Sequence, residues 1–146
     1  MTEKSKVNVK MTVEIHDRGN KMKTVIEEQG QLIENETTTI LKFSEKDENN
    51  ETIDSFITIT KDSVSVKRSG AISMLQKFKQ KQITENMYRH PFGTMHMETK
   101  TDQIMYEKPT ERKQGKLFMS YTTSLDGENP RRQRLTIVIT KANTPV

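Results

Sequence analysis

Hydrophobic and polar residues alternate with a period of two over much of this chain, the signature of strands that bury one face. Val7, Val9, Met11, Val13 and Ile15 interleave with Asn8, Lys10, Thr12, Glu14 and His16, and Asp17–Asn20 reads as the turn that follows. The same spacing recurs in Leu41 and Phe43, in Ile53, Ser55, Ile57 and Ile59, in Met95, Met97, Thr99 and Thr101, in Leu117, Met119, Tyr121, Thr123 and Leu125, and in Leu135, Ile137 and Ile139. Between these runs stand polar segments with turn residues: Lys46–Glu51, Lys61–Ser63, Lys108–Gly115 and Asp126–Pro130. Residues 21–34 are less regular. Met22, Thr24 and Ile26 share a face, then Gly30 intervenes, and the expectation is a strand with a bulge or corner there. No heptad, repeat or amphipathic helix breaks the pattern.

The densest information lies in Val64–Phe78. Val64, Val66, Arg68, Gly70, Ile72, Met74, Gln76 and Phe78 hold even positions, while Ser65, Lys67, Ser69, Ser73 and Lys77 hold odd ones. The even set is therefore the inward set. Its phase survives Gly70, which excludes a two-residue hairpin loop at Ser69–Gly70. A three-residue loop, or one strand kinked at Gly70, keeps Arg68 in register with Ile72. Either geometry points Arg68 and Gln76 inward, and an inward arginine is rare unless paired, since an isolated buried charge costs several kcal/mol.

Strands in sequence, joined by short turns, predict an all-β, single closed antiparallel up-and-down β-barrel of about eight to ten strands, since closure removes exposed edges. A β-sandwich is the alternative architecture. The whole chain, residues 1–146, forms one domain in this reading, with loose tails at about 1–5 and 142–146. Residues 64–78, together with Tyr88–Gly93 and the Thr-rich strand Thr94–Thr101, resemble the YwiB-like family of small uncharacterised bacterial proteins, which is assigned to the calycin-like (lipocalin-like) β-barrels. The motif positions are Arg68, Ser69, Gly70, Gln76, Phe78, Tyr88, Phe92 and Gly93. The resemblance implies a single antiparallel barrel and no established activity. The chain lacks Trp, hence the Gly-x-Trp of typical lipocalins.

Composition changes this picture in two ways. Apolar residues reach only 31% against 30% charged, so the interior is lean or partly polar, and inward Arg68 and Gln76 favour the second. Charge is uneven: residues 1–60 hold 8 Lys/Arg against 12 Asp/Glu, and residues 61–146 hold 16 against 8. Cysteine is absent, the first residues contain no apolar signal segment, and no apolar run is long enough to span a bilayer as a helix. The expected compartment is the cytoplasm.

Two candidate sites follow. One is an interior pocket of Arg68, Gln76, Phe78, Tyr88, Thr99 and Tyr121 with walls of Met74, Met95, Met97 and Met119, suited to a small amphipathic or anionic molecule. The competing account makes Arg68 a staple that bonds a carboxylate or backbone carbonyls. The other candidate is a basic outer surface of Lys67, Lys77, Lys79, Lys81, Arg132 and Arg134, with Phe56 and Phe118 as outward aromatics, that would dock an acidic protein or RNA. A solvated charged face is the plainer account of it. His16, His90 and His96 stand apart without metal-ligand spacing, and neither a nucleophile elbow nor a phosphate loop is present. No enzyme, cofactor or metal is expected.

Overall fold

The computed structural model describes residues 2–70 and 72–142. Ten strands follow one another: β1 (Glu3–Asp17), β2 (Asn20–Glu34), β3 (Thr39–Lys46), β4 (Thr52–Ile59), β5 (Ser63–Gly70), β6 (Ser73–Lys79), β7 (Ile83–His90), β8 (Gly93–Glu107), β9 (Gly115–Leu125) and β10 (Arg131–Lys141). Each pairs antiparallel with its neighbours in sequence, and β10 closes on β1, so the sheet is an up-and-down barrel. The first hairpin shows how the turns are set: Arg18 (φ 51°) and Gly19 (φ 83°) are both left-handed, the two-residue turn whose twist matches its flanking strands.

Three local expectations need correction. Residues 3–5 are not a loose tail but pair with Leu32–Glu34, because the long β2 gives β1 a partner to its start. At the other terminus, Ala142 still donates its N–H to the Lys6 carbonyl, and residues 143–146 lie outside the described residues. Secondly, β2 carries no bulge at Gly30. Its register against β1 runs unshifted from Glu34 to Asn20, and Leu32 keeps the inward phase of Ile26. Gly30 is instead a close approach: a Cβ there would stand 2.5 Å from the Lys42 carbonyl oxygen, where β3 joins β2. Thirdly, Arg68 lies opposite Met74, not Ile72. The connection is two residues longer than expected and the parity is unchanged. Gly70 has φ 120°, and a Cβ there would lie 2.2 Å from the Thr52 carbonyl oxygen.

The barrel is solid at one end and hollow at the other. Near the β2–β3, β4–β5, β6–β7 and β8–β9 connections, Val7, Leu32, Leu41, Ile59, Val64, Phe78, Leu117 and Ile139 fill the interior, none more than 3% exposed. Full burial of such side chains contributes roughly 1.5–3 kcal/mol each. The opposite end, which carries the β1–β2, β3–β4, β5–β6, β7–β8 and β9–β10 hairpins, is a cup. Between β6 and β7 strand pairing reduces to Ser73 with Arg89 and Met74 with Tyr88 at the cup end, and is lost toward the β6–β7 connection. Beyond them side chains replace the ladder: Thr84 Oγ1 donates to the Lys77 carbonyl, and Asn86 Oδ1 accepts the Lys77 N–H.

Candidate functional site

The cup encloses about 430 Å³. Alternation along each strand decides what lines it. β5 contributes Val66 and Arg68, β6 Met74, Gln76 and Phe78, β7 Tyr88, β8 Met95 and Met97, β9 Tyr121, Thr123 and Leu125, and β10 Gln133 and Leu135. Met11, Val13, Phe43, Ser55 and Ile57 complete the wall from β1, β3 and β4. Of the six residues that the sequence placed in a pocket, Arg68, Gln76, Phe78, Tyr88 and Tyr121 line it. Thr99 sits behind it, fully buried, and holds Gln76. Met119 is a correction: it is fully buried in the packed end and forms none of the cavity wall.

The polar groups are paired across the wall, each using its strand's inward phase. Arg68 Nη2 donates to Glu45 Oε1 at 2.7 Å, with side-chain exposures of 26% and 12%. Gln76 Nε2 donates to Thr99 Oγ1 at 3.0 Å, and Gln133 Nε2 to Thr123 Oγ1. These bonds leave capacity unused. The buried Nε of Arg68 has no hydrogen-bond partner. A guanidinium carries five N–H donors, and Glu45 takes only one of them. Tyr121 packs edge-on against Phe78 with ring centroids 4.7 Å apart, and burial pushes its phenol pKa up, so it stays neutral at physiological pH.

Glu45 is the residue that sequence reasoning missed. It shares the phase of Leu41 and Phe43, which was the available signal, but it adjoins the charged run Lys46–Glu51 and reads as part of that loop. Its presence means that both accounts of Arg68 hold at once: the guanidinium is stapled to a carboxylate and faces a cavity. The pair is neutral overall, which weakens the attraction for an anion without removing donors for a polar head group.

The six basic residues do not form one patch but fall into two groups. Lys67, Lys77 and Lys79 point outward from β5 and β6, and Lys81 occupies the next turn. Arg132 and Arg134 stand on β10 opposite His16 and Glu14, with β7, β8 and β9 in between. Phe56, 37% exposed, does face outward, and the Lys42 ammonium lies over its ring. A larger hollow of about 890 Å³ opens on this outer surface around Lys6, Gln29, Lys42 and Lys67, and it contains none of the six predicted pocket residues. His96 lies 3.7 Å from Glu85 on the surface, and the side chain of His90 is outside the described residues. Among the described residues no three His, Cys, Asp or Glu side chains form a metal cluster, and no helix is long and apolar enough to cross a membrane.

Comparison with known proteins agrees with this architecture. Residues 9–137 match the family described as Domain of unknown function (DUF1934). The crystal structure of ywiB protein from Bacillus subtilis is similar over 96% of this chain and 94% of its own, with a TM-score of 0.84 at 20% identity, a likeness of fold. A structural-genomics protein of unknown function from Bacteroides ovatus aligns with 97% of this chain and 43% of its own, at a TM-score of 0.39 and 11% identity, too low to carry an argument. No curated protein matches.

Proposed function

We propose, for a chain that belongs to the DUF1934 family, that the barrel is a lipocalin-like, non-enzymatic binder of a small amphipathic molecule. One observation carries the reading: the cavity of about 430 Å³ joins an apolar, methionine-rich wall to a few polar groups with unspent hydrogen-bonding capacity. Its size falls within the range of roughly 300–1,000 Å³ of small-molecule pockets. The apolar body of the ligand would lie against Met74, Met95, Met97 and Phe43, and an acceptor on its head group would take N–H groups of Arg68. Glu45 sets the preference between the two ligand chemistries considered from the sequence. A carboxylate already seated on the guanidinium disfavours a second full negative charge and favours a neutral polar head.

Native mass spectrometry of the freshly purified protein, with titration of an environment-sensitive probe that joins an apolar chain to a neutral polar head, tests the reading. A co-purifying adduct, or saturable probe binding that Ser55→Phe blocks, is expected. Ser55 is 5% exposed and lines the cup, so the added ring occupies the ligand's space. No adduct, together with probe binding indifferent to Ser55→Phe, would end the proposal.

A further inference from the structure

The stretch Asn20–Gln29 of β2 has a strand on one side only. β1 pairs with it throughout the hairpin, whereas β3 joins β2 at Gly30–Glu34 and no further. Among the described residues no other segment hydrogen-bonds to its open side. Strand edges of this length are normally bulged, shortened, covered or set with charges of one sign, commonly Lys, because their free N–H and C=O groups are a template for another strand. This edge is unbulged, and it exposes Met22 (63%) and Val25 (47%).

The hairpin sets which groups are free. A two-residue turn makes Asp17 and Asn20 the first hydrogen-bonded pair, and such pairs recur at every second residue. The even positions of β2 therefore bond to β1, and Lys21, Lys23, Val25, Glu27 and Gln29 turn their backbone groups to the open side. We propose that this edge pairs antiparallel with the same edge of a second copy, about a two-fold axis at Val25. In that register Val25 faces the partner's Val25, Lys23 faces the partner's Glu27, and Lys21 faces the partner's Gln29. All are hydrogen-bonded pairs, and symmetry repeats the Lys–Glu contact. Sliding by two residues in either direction sets Lys23 against Val25, or Val25 against Glu27, and shortens the ladder. Basic residues at the start of the segment and acidic ones at its end, spaced evenly about an apolar centre, make it self-complementary.

Sedimentation velocity and light scattering from micromolar to millimolar protein test the pairing. Wild type is expected to dimerise with concentration. Lys23→Glu and Glu27→Lys each place like charges opposite one another twice and should weaken association roughly tenfold or more. An equimolar mixture of the two variants should associate again, because every cross-pair then joins unlike charges. Val25→Pro removes an N–H that the chain itself does not use, so it should leave the circular dichroism spectrum native while abolishing the dimer. A wild-type monomer at every concentration overturns the proposal, as does a dimer that survives both reversals or a mixture that stays monomeric.

Discussion

Replacing Arg68 by methionine keeps much of the stem's volume and removes the charge, which leaves the Glu45 carboxylate, only 12% exposed, beside Phe43 and the cavity wall. Orphaning one member of a buried pair costs about 3–5 kcal/mol, whereas exposed pairs are worth about 0–1 kcal/mol. With exposures of 26% and 12% this pair stands between the two, so Arg68→Met should cost about 2 kcal/mol. In a domain of this size that lowers Tm by about 6 °C. Glu45→Leu alone strands the guanidinium, which can still turn toward water at the cup's mouth, and should cost about 1 kcal/mol. The double variant Arg68→Met/Glu45→Leu leaves no charge behind and should fall within about 1 kcal/mol of wild type, a coupling of at least about 2 kcal/mol. Urea unfolding of the four proteins measures all of this. Two single effects that simply add would show that the ion pair is not a mutually dependent unit. The double variant also separates the two roles of Arg68: it should remain folded yet lose most of its affinity for the neutral-headed probe.

Alkaline titration gives a second test. Burial, reinforced by the Glu34 carboxylate, raises the Tyr106 pKa to about 12, and burial raises that of Tyr121 further. In the unfolded chain both ionise near pH 10, so above that pH the unfolded state holds fewer protons. Stability should be unaffected by these groups below about pH 10 and fall as pH rises from there toward 12; denaturant midpoints flat across that window would contradict their burial. Gly30→Ala should destabilise by about 2 kcal/mol or more, read as a lower Tm, because its Cβ would meet the Lys42 carbonyl oxygen at 2.5 Å. An unchanged Tm would mean that the β2–β3 corner relaxes freely.

Most of the architecture was legible because most strands here have one wet face. Where Val7 to Ile15 or Leu117 to Leu125 alternate, the face and hence the inward set follow directly, and every even residue from Val64 to Arg68 and from Met74 to Phe78 points as its parity requires. Legibility failed where two signals competed. Leu32 and Ile33 are both apolar, so the phase of β2 was ambiguous, and Gly30 drew a bulge that the register does not contain. Glu45 was hidden for the opposite reason: its neighbours are loop-like, and periodicity cannot tell a strand's last inward charge from the first residue of a turn. The tenuous β6–β7 contact was also invisible, because it depends on Thr84 and Asn86 turning into the plane of the sheet rather than to either face.

The lean composition of the chain is matched by polar side chains on inward positions. The end where Leu32, Leu41, Leu117 and Ile139 meet is packed with apolar side chains, and the cup adds polar cross-wall pairs to an apolar wall. Gln76 with Thr99, Gln133 with Thr123 and Arg68 with Glu45 each satisfy one another in part, which holds the desolvation cost down without consuming every donor and acceptor. Such half-spent pairs can accept a guest without first breaking a bond. Replacing Gln76 and Thr99 together by leucine and valine keeps the volume and removes the polar pair, so Tm should rise, as exchanging a buried polar pair for apolar groups of the same shape often does. A gain in Tm with probe affinity unchanged would show that the polar tier has no part in recognition; a gain in Tm with loss of probe binding is the outcome expected of a site.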